Sequence, residues 1–155
     1  MQKTNVLRIL DTKNIEYSIF EYDVDEESLD AVTVAEKIGA DPDQVFKTLI
    51  ARGDGNSIFV FVIPGQYELD LKKAAKASRN KKIEMIKMKE ILPLTGYIRG
   101  GCSPIGMKKQ YPTFIDESAN VFPEIIFSAG KRGIQVKLSP ITLATVSNAE
   151  FVDLI

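Results

Sequence analysis

One lysine and two glycine-rich loops are the parts of this sequence whose residue types could do chemistry. Lys47 interrupts the apolar stretch 45-VFKTLIA-51, in which a strand would place Thr48 on the opposite face. The loop 100-GGCSPIG-106 holds three glycines and a proline, and 128-SAGKRG-133 holds two cations before its last glycine. Glycine amides can approach a ligand closely and stabilise an oxyanion. Simpler alternatives stay open at this point: an edge-strand charge for Lys47, an ordinary tight turn for the loop at 100–106, and a basic hairpin at 128–133.

The absence of histidine limits the chemistry most. The chain has no histidine and one cysteine, Cys102. Ser-His-Asp and Cys-His catalysis therefore lack their base, and a zinc site of ordinary composition is excluded. We expect no metal and no cofactor, and we expect Cys102 to be a poor nucleophile because it lacks nearby activating groups. Any catalysis then depends on lysine, hydroxyls, carboxylates, backbone amides or the substrate itself.

Length and composition are typical of one globular domain. The 155 residues are 45% hydrophobic, which is enough to bury a core, and no apolar run approaches the length of a membrane span. One cysteine cannot form an intramolecular disulfide, which fits a reducing compartment. We therefore expect a single domain over residues 1–155 that is cytoplasmic and not attached to a membrane.

The charges are distributed unevenly although the formal net charge is −1. Residues 16–30 carry seven acids and no base, whereas residues 72–89 carry eight bases and one acid, Glu84. A basic segment can attract a polyanion locally, and a solvated helix face is the alternative. The candidates for contact with a nucleic-acid backbone are Lys72, Lys73, Lys76, Lys81 and Lys82.

The remaining sequence predicts the elements that must position these residues. Apolar periodicity and capping residues predict helices over 3–13, from Thr33 to Gly39 with a T-V-A-E capping box, over 71–79, over 87–92 and after Ser139. Short strands are predicted at 17–22, 45–51, 57–63, 83–86, 96–100, 113–116, 125–130 and 134–138. Short strands with interspersed helices and no regular βαβ alternation indicate an α+β fold with a mixed or barrel-like sheet.

Five segments, taken in order, resemble the YbaK/EbsC family, the Cys-tRNA(Pro) deacylases that clear mischarged tRNA. The segments are 41-DPDQVFKTLI, 69-LDLKKAAKA, 95-TGYIRGGCSPIGMKK, 112-PTFID and 128-SAGKRG. The similarity extends from about Ile15 to the C-terminus and includes the spacing between segments. The editing domain of bacterial prolyl-tRNA synthetases shares the general pattern. The resemblance implies a compact α+β domain with a mixed, barrel-like sheet and surrounding helices.

The resemblance also implies roles for individual residues. Lys47 matches the family's key lysine, which contacts the aminoacyl end of the tRNA, and the loop from Gly100 to Pro104 matches a G-x-x-x-P loop that holds the terminal adenosine and the substrate carbonyl. The residues expected to act in catalysis are Lys47, Gly100 and Gly101. The residues expected to bind substrate are Tyr22, Thr48, Ser103, Pro104, Ser128, Gly130, Lys131 and Arg132. Two features depart from the family: Gln135, where the member compared has aspartate, and the poorly aligned acidic loop 23–30.

The function that the resemblance implies is trans-editing, in which the ester of mischarged Cys-tRNA(Pro) is cleaved by the substrate's own thiol. Such a mechanism suits a chain without histidine, because the protein supplies only placement and electrostatic stabilisation. Two alternatives stay open: a deacylase for alanyl- or seryl-tRNA, and a non-catalytic module that binds tRNA or a synthetase. The expected partners are the aminoacylated 3′ end of tRNA and prolyl-tRNA synthetase, which could supply tRNA selectivity.

Overall fold

The computed structural model describes residues 3–155, which form five α-helices and eight strands in two sheets. The helices are α1 (Asn5–Thr12), α2 (Ala31–Ile38), α3 (Leu71–Ser78), α4 (Ile91–Thr95) and α5 (Pro140–Ser147). The strands are β1 (Ser18–Glu21), β2 (Phe46–Arg52), β3 (Ile58–Pro64), β4 (Glu84–Met85), β5 (Thr113–Asp116), β6 (Ile125–Lys131), β7 (Ile134–Leu138) and β8 (Ala149–Val152). No helix within this range is long and apolar enough to cross a membrane.

The two sheets adjoin at the start of β2. One sheet has the order β1-β7-β6 and is antiparallel, and the other has the order β4-β2-β3-β5-β8. In the second sheet β2 pairs antiparallel with β3 and β4, whereas β5 pairs parallel with β3 and β8. A single parallel bridge from Val45 to Ile126 joins the sheets. The α+β class and the mixed sheet are confirmed, and the sheet is not a closed barrel.

The side chains of β2 alternate between two hydrophobic cores. Phe46 and Ile50 belong to the core between the two sheets, and Leu49 packs against the core beneath α3. Alternate residues of a strand face opposite sides. Lys47 therefore shares its face with Leu49, and Thr48 shares its face with Phe46 and Ile50, as the sequence predicts.

The predicted start of α2 is wrong by one turn. The capping residue is Asp30, whose carboxylate accepts hydrogen bonds from the amide of Thr33 at 3.0 Å and from its hydroxyl at 2.8 Å. Thr33 therefore lies inside the helix, and the predicted capping box does not form. An aspartate caps well and also complements the positive helix N-terminus, so it begins the helix earlier. Gly39 ends the helix as predicted, with φ +71°.

Residues 96–100, predicted as a strand, form a loop. Gly96 and Gly100 have φ values of +85° and +83°, which an extended strand does not allow. The amide of Gly101 donates to the carbonyl of Ile98 at 2.9 Å and closes a turn. The sequence pattern also missed β8, which pairs with β5 along four residues. Tertiary pairing decides such a short strand more than its local pattern does.

Candidate functional site

The main cavity opens where β2 lacks a neighbouring strand along part of one edge. On that edge Val45 bridges to β6, and Ala51 and Arg52 pair with β4. In the described part of the chain, residues 46–49 pair with no strand on that side. The resulting cavity has a volume of about 430 Å³, which is enough for a small-molecule ligand. Side chains from both faces of β2 can therefore reach one ligand.

The strand register turns the backbone of Thr48 toward this open edge. The carbonyl of Val45 accepts a hydrogen bond from Gly65 at 2.8 Å, and hydrogen-bonded pairs alternate along an antiparallel ladder. Lys47 and Leu49 consequently bond to β3, whereas the N–H and C=O of Thr48 point into the gap. Its Oγ1 is also buried without a hydrogen-bond partner. A buried polar group without a hydrogen-bond partner lowers the stability of the fold, and a polar ligand could provide the missing partner for Thr48.

Lys47 places an ammonium group at the wall of the cavity. Its side chain is partly buried, and burial lowers the pKa of Lys47 below its usual value, while nearby Glu68 partly opposes this shift. A partly desolvated cation interacts more strongly with a carbonyl oxygen or an anion than an exposed one does. Lys47 can therefore stabilise negative charge on a group bound in the cavity.

Gly100 and Gly101 let their loop pack closely against the turn between β6 and β7. A Cβ atom on Gly100 would lie 3.3 Å from Leu29 Cδ1 and 3.4 Å from Arg132 Nε. A Cβ atom on Gly101 would lie 3.3 Å from the backbone nitrogen of Arg132. The Arg132 Nε also donates to the carbonyl of Arg99 at 2.7 Å. Arg132 therefore positions the glycine loop beside the cavity.

The expectation that the amides of both Gly100 and Gly101 face a substrate needs a correction. The Gly101 amide is already used in the turn with Ile98, and Gly101 does not line the main cavity. Gly100 and Cys102, on either side of it, do line the cavity. Their backbone amides are the donors in this loop that could reach an oxyanion.

The thiol of Cys102 is a weak nucleophile in this setting. Burial raises the pKa of Cys102 to about 12, and a hydrogen bond with Thr95 only partly opposes this effect. The thiolate is the nucleophilic form of cysteine. Near neutral pH almost every Cys102 side chain is therefore protonated, which agrees with the expectation from the sequence.

β6 and β7 supply polar groups opposite β2. Ser128 and Gln135 are paired across these strands and both line the cavity, with exposed fractions of 8% and 5%. The Oγ of Ser128 accepts a hydrogen bond from the amide of Gly130 at 3.1 Å, so its own hydrogen can be donated. The side chain of Gln135 is an uncharged amide. A cationic group of a ligand beside Ser128 and Gln135 would therefore meet a hydroxyl oxygen and an amide oxygen, neither of which carries a negative charge.

Tyr22, Lys131 and Arg132 line a second groove instead of the main cavity. This groove has a volume of about 850 Å³ and lies between the end of β1 and the turn after β6. The Nη1 atom of Arg132 lies 4.0 Å from a carboxylate oxygen of Glu26. These three residues can contact only those parts of a ligand that extend beyond the main cavity.

Ser103, Pro104 and Gly130 support the loops around the site. Ser103 is fully buried, and its Oγ accepts a hydrogen bond from the amide of Ile105 at 3.4 Å. Pro104 is also buried. Gly130 has φ +95°, and a Cβ atom there would lie 2.9 Å from Val6 Cγ2 of α1. Ser103, Pro104 and Gly130 line neither the main cavity nor the second groove.

Only the C-terminal end of the basic segment lines the cavity, through residues 85, 86 and 88. Lys72, Lys73 and Lys76 belong to α3, and Lys81 and Lys82 follow it. Lys73 forms an ion pair with Asp153 at 3.0 Å, and the other four lysines are exposed. Several cavity residues that sequence reasoning missed come from the end of this segment and from neighbouring loops: Leu29, Asp30, Met85, Ile86, Met88 and Arg99. Only Arg99, directly before the glycine pair, had a local signal that could have identified it.

Comparison with known proteins connects this site to a family. The profile of the aminoacyl-tRNA editing domain matches residues 25–146, which is more than half of the chain. The chain belongs to the aminoacyl-tRNA editing domain family. The matched range contains Lys47, the glycine loop and the cavity residues of β6 and β7. Tyr22 lies outside the range.

Relatives of this editing domain match it over most of their length. EbsC of Enterococcus faecalis, named as a candidate Cys-tRNA(Pro)/Cys-tRNA(Cys) deacylase, is 48% identical over 153 residues, which cover 99% of this chain and 93% of EbsC. The uncharacterized protein YwhH of Bacillus subtilis is 30% identical over 130 residues, or 82% of each chain. The crystal structure of a candidate trans-editing enzyme for prolyl tRNA synthetase has a TM-score of 0.84 at 24% identity, covering 99% of this chain and 98% of that one. This last likeness shows the shared fold.

Proposed function

We propose that this editing domain deacylates mischarged Cys-tRNA(Pro) and that the nucleophile is the thiol of the substrate cysteine. The observation that carries the proposal is a cavity with a cation and backbone donors, in a chain without histidine, whose own cysteine has its pKa raised to about 12. A substrate that brings its own nucleophile requires only placement and charge stabilisation. The name of EbsC, 48% identical, supports cysteine as the amino acid.

In the proposed reaction the substrate sulfur attacks the carbonyl carbon of its own ester. The C–S bond forms, the bond from the carbonyl carbon to the ribose oxygen breaks, and the thiol proton ends on that oxygen. The products are free tRNA and a cyclic thiolactone. Lys47 and the amides of Gly100 and Cys102 stabilise the oxyanion, while the backbone and Oγ1 of Thr48 hold the aminoacyl group.

The proposal assigns partners to the surfaces around the cavity. The whole chain, residues 1–155, acts as one domain in the cytoplasm, and the aminoacylated 3′ end enters the cavity. The tRNA backbone then lies near the basic residues Lys72, Lys73, Lys76, Lys81 and Lys82. In this proposal prolyl-tRNA synthetase supplies the tRNA selectivity.

The test is to follow loss of the aminoacyl ester from tRNA(Pro) charged with cysteine, serine or alanine. We expect the cysteinyl ester to be lost about 100-fold faster than the other two, because they lack the attacking thiol. Hydrolysis without protein is the background control. Similar rates for all three esters would indicate a deacylase that uses water, and loss of none would indicate a module that only binds tRNA. Either result would contradict the proposal.

A further inference from the structure

One wall of the main cavity carries apolar side chains that are open to solvent. Met85 of β4 and Met88 line the cavity, and these residues are 43% and 61% exposed. Arg99 lines the same wall and is exposed. We call Met85, Met88 and Arg99 the Met–Arg wall. Exposed apolar groups that adjoin a binding cavity indicate contact with a part of the ligand or with a partner.

The guanidinium group of Arg99 is free to present a flat face. Its Nη1 lies 3.9 Å from the sulfur of Met88, and its backbone carbonyl is held by Arg132 at 2.7 Å. None of the ion pairs formed within residues 3–155 involves Arg99. A planar guanidinium beside a polarizable thioether is a surface on which an aromatic ring can stack.

The charge around the Met–Arg wall indicates which kind of ring it binds. The exposed lysines Lys81, Lys82, Lys87 and Lys89 flank the two methionines in sequence, and none of them takes part in an ion pair of the described chain. Unpaired cations beside a stacking surface are the combination that binds single-stranded nucleic acid. An apolar protein segment would gain nothing from these four charges.

We propose that the Met–Arg wall stacks the base of an unpaired nucleotide that precedes the esterified one, while Lys87 and Lys89 contact the adjoining phosphates. The identity of the RNA rests on the proposed function, because an aminoacyl group inside the cavity brings the neighbouring nucleotides to its mouth. Stacking of this kind tolerates every base, so the wall contributes affinity without reading sequence.

The experiment measures binding of an uncharged RNA microhelix with a single-stranded 3′ ACCA end by isothermal titration. The double variant M88A/R99A should bind about tenfold more weakly, which is the loss expected for one unstacked base. Arg99→Lys keeps the positive charge but removes the planar guanidinium group, so this variant should bind the microhelix more weakly than the parent. Lys13→Ala removes an exposed lysine at the end of α1, away from the cavity lining and the basic segment, and should change affinity by less than about twofold. The two substituted wall residues, Met88 and Arg99, are exposed, so thermal unfolding should show that all these variants fold.

A microhelix in which the two cytidines of the 3′ end are replaced by abasic nucleotides separates stacking from charge. The parent and M88A/R99A should bind this RNA with nearly the same affinity. The proposal is overturned if the double variant binds the intact microhelix as the parent does, or if it loses equal affinity for the abasic one. This readout needs no turnover. A parent that binds through the wall without deacylating would refute the proposed function alone, and a deacylating parent with no dependence on the wall would refute this inference alone.

Discussion

Replacing Lys47 by methionine is expected to slow the deacylation of Cys-tRNA(Pro) by about 100- to 1,000-fold, the loss typical of removing one group that stabilises an oxyanion. Lys47 is partly buried at the cavity wall, and methionine keeps most of its apolar stem while removing the charge. Single-turnover rates with saturating protein measure the effect. Lys47→Arg keeps a cation but changes its geometry, so its rate should fall between those of the parent and Lys47→Met.

A second lysine in a strand provides the matched control. Lys137 of β7 is 29% exposed at its side chain and lies 5.6 Å from the ring of Phe20, and it does not line the main cavity. Lys137→Met should therefore change the rate by less than about twofold. The assignment of Lys47 would be refuted if a folded Lys47→Met protein kept the rate of Lys137→Met.

Lys47→Met should also change the stability of the protein, and the size of that change should depend on pH. The pKa of Lys47 is lowered in the folded chain relative to its usual 10.5, so its charged form costs stability at neutral pH. This cost disappears as the pH rises from the folded pKa toward 10.5. Lys47→Met should thus unfold at a temperature no lower than the parent at neutral pH, and its advantage should shrink in alkaline buffer. Catalysis needs the ammonium form of Lys47, so the deacylation rate of the parent should decline as the pH rises, with an apparent pKa below 10.5.

Replacing Gly100 by alanine should lower kcat/KM by about 10- to 100-fold, because small displacements of a positioned group cost this much. An alanine at φ +83° is strained by about 1–2 kcal/mol. Its methyl group would also press on Leu29 and on Arg132, which holds the loop through the Arg99 carbonyl. The amides of Gly100 and Cys102 would then move away from the oxyanion. Steady-state kinetics with Cys-tRNA(Pro) measure this change.

Gly55 separates backbone strain from displacement of the loop. It lies in the turn between β2 and β3 with φ +65°, and a Cβ atom there would meet nothing within 4 Å. Gly55→Ala should lose about the same 1–2 kcal/mol of unfolding free energy but keep its kcat/KM. Equal activity of the two alanine variants would show that the Gly100 loop does not position the reacting ester.

Local sequence rules were sufficient for the parts of the fold that local interactions decide. The alternation along 45–51 placed Lys47 and Thr48 on opposite faces correctly, and the turn at 53–56 joins the two predicted strands. Asp70 caps α3 through the amides of Lys72 and Lys73, as its position before the helix indicates. Capping and hairpin formation depend on residues that are close in sequence, so one sequence reveals them.

The shape of the cavity could not be read from the sequence because it depends on tertiary pairing. β2 leaves β6 after the single bridge from Val45 to Ile126, and no local pattern states where two strands separate. The use of the Gly101 amide in a turn with Ile98 was hidden for a similar reason. The pattern of glycines identified the loop correctly, but only the backbone path shows which of its amides remain for a ligand.

The central claim is that the attacking thiol arrives on the substrate, and the variant Cys102→Ser tests it most directly because Cys102 is the one cysteine of the sequence, so the variant has no thiol of its own. The measurement is single-turnover deacylation of Cys-tRNA(Pro) and Ser-tRNA(Pro) by folded Cys102→Ser protein, with mass spectrometry of the released amino acid. We predict a cysteinyl rate within about twofold of the parent and release of the cyclic thiolactone, with seryl ester cleaved about 100-fold more slowly. Loss of cysteinyl turnover in the folded variant would contradict the account, as would direct release of free cysteine at an unchanged rate with no thiolactone formed.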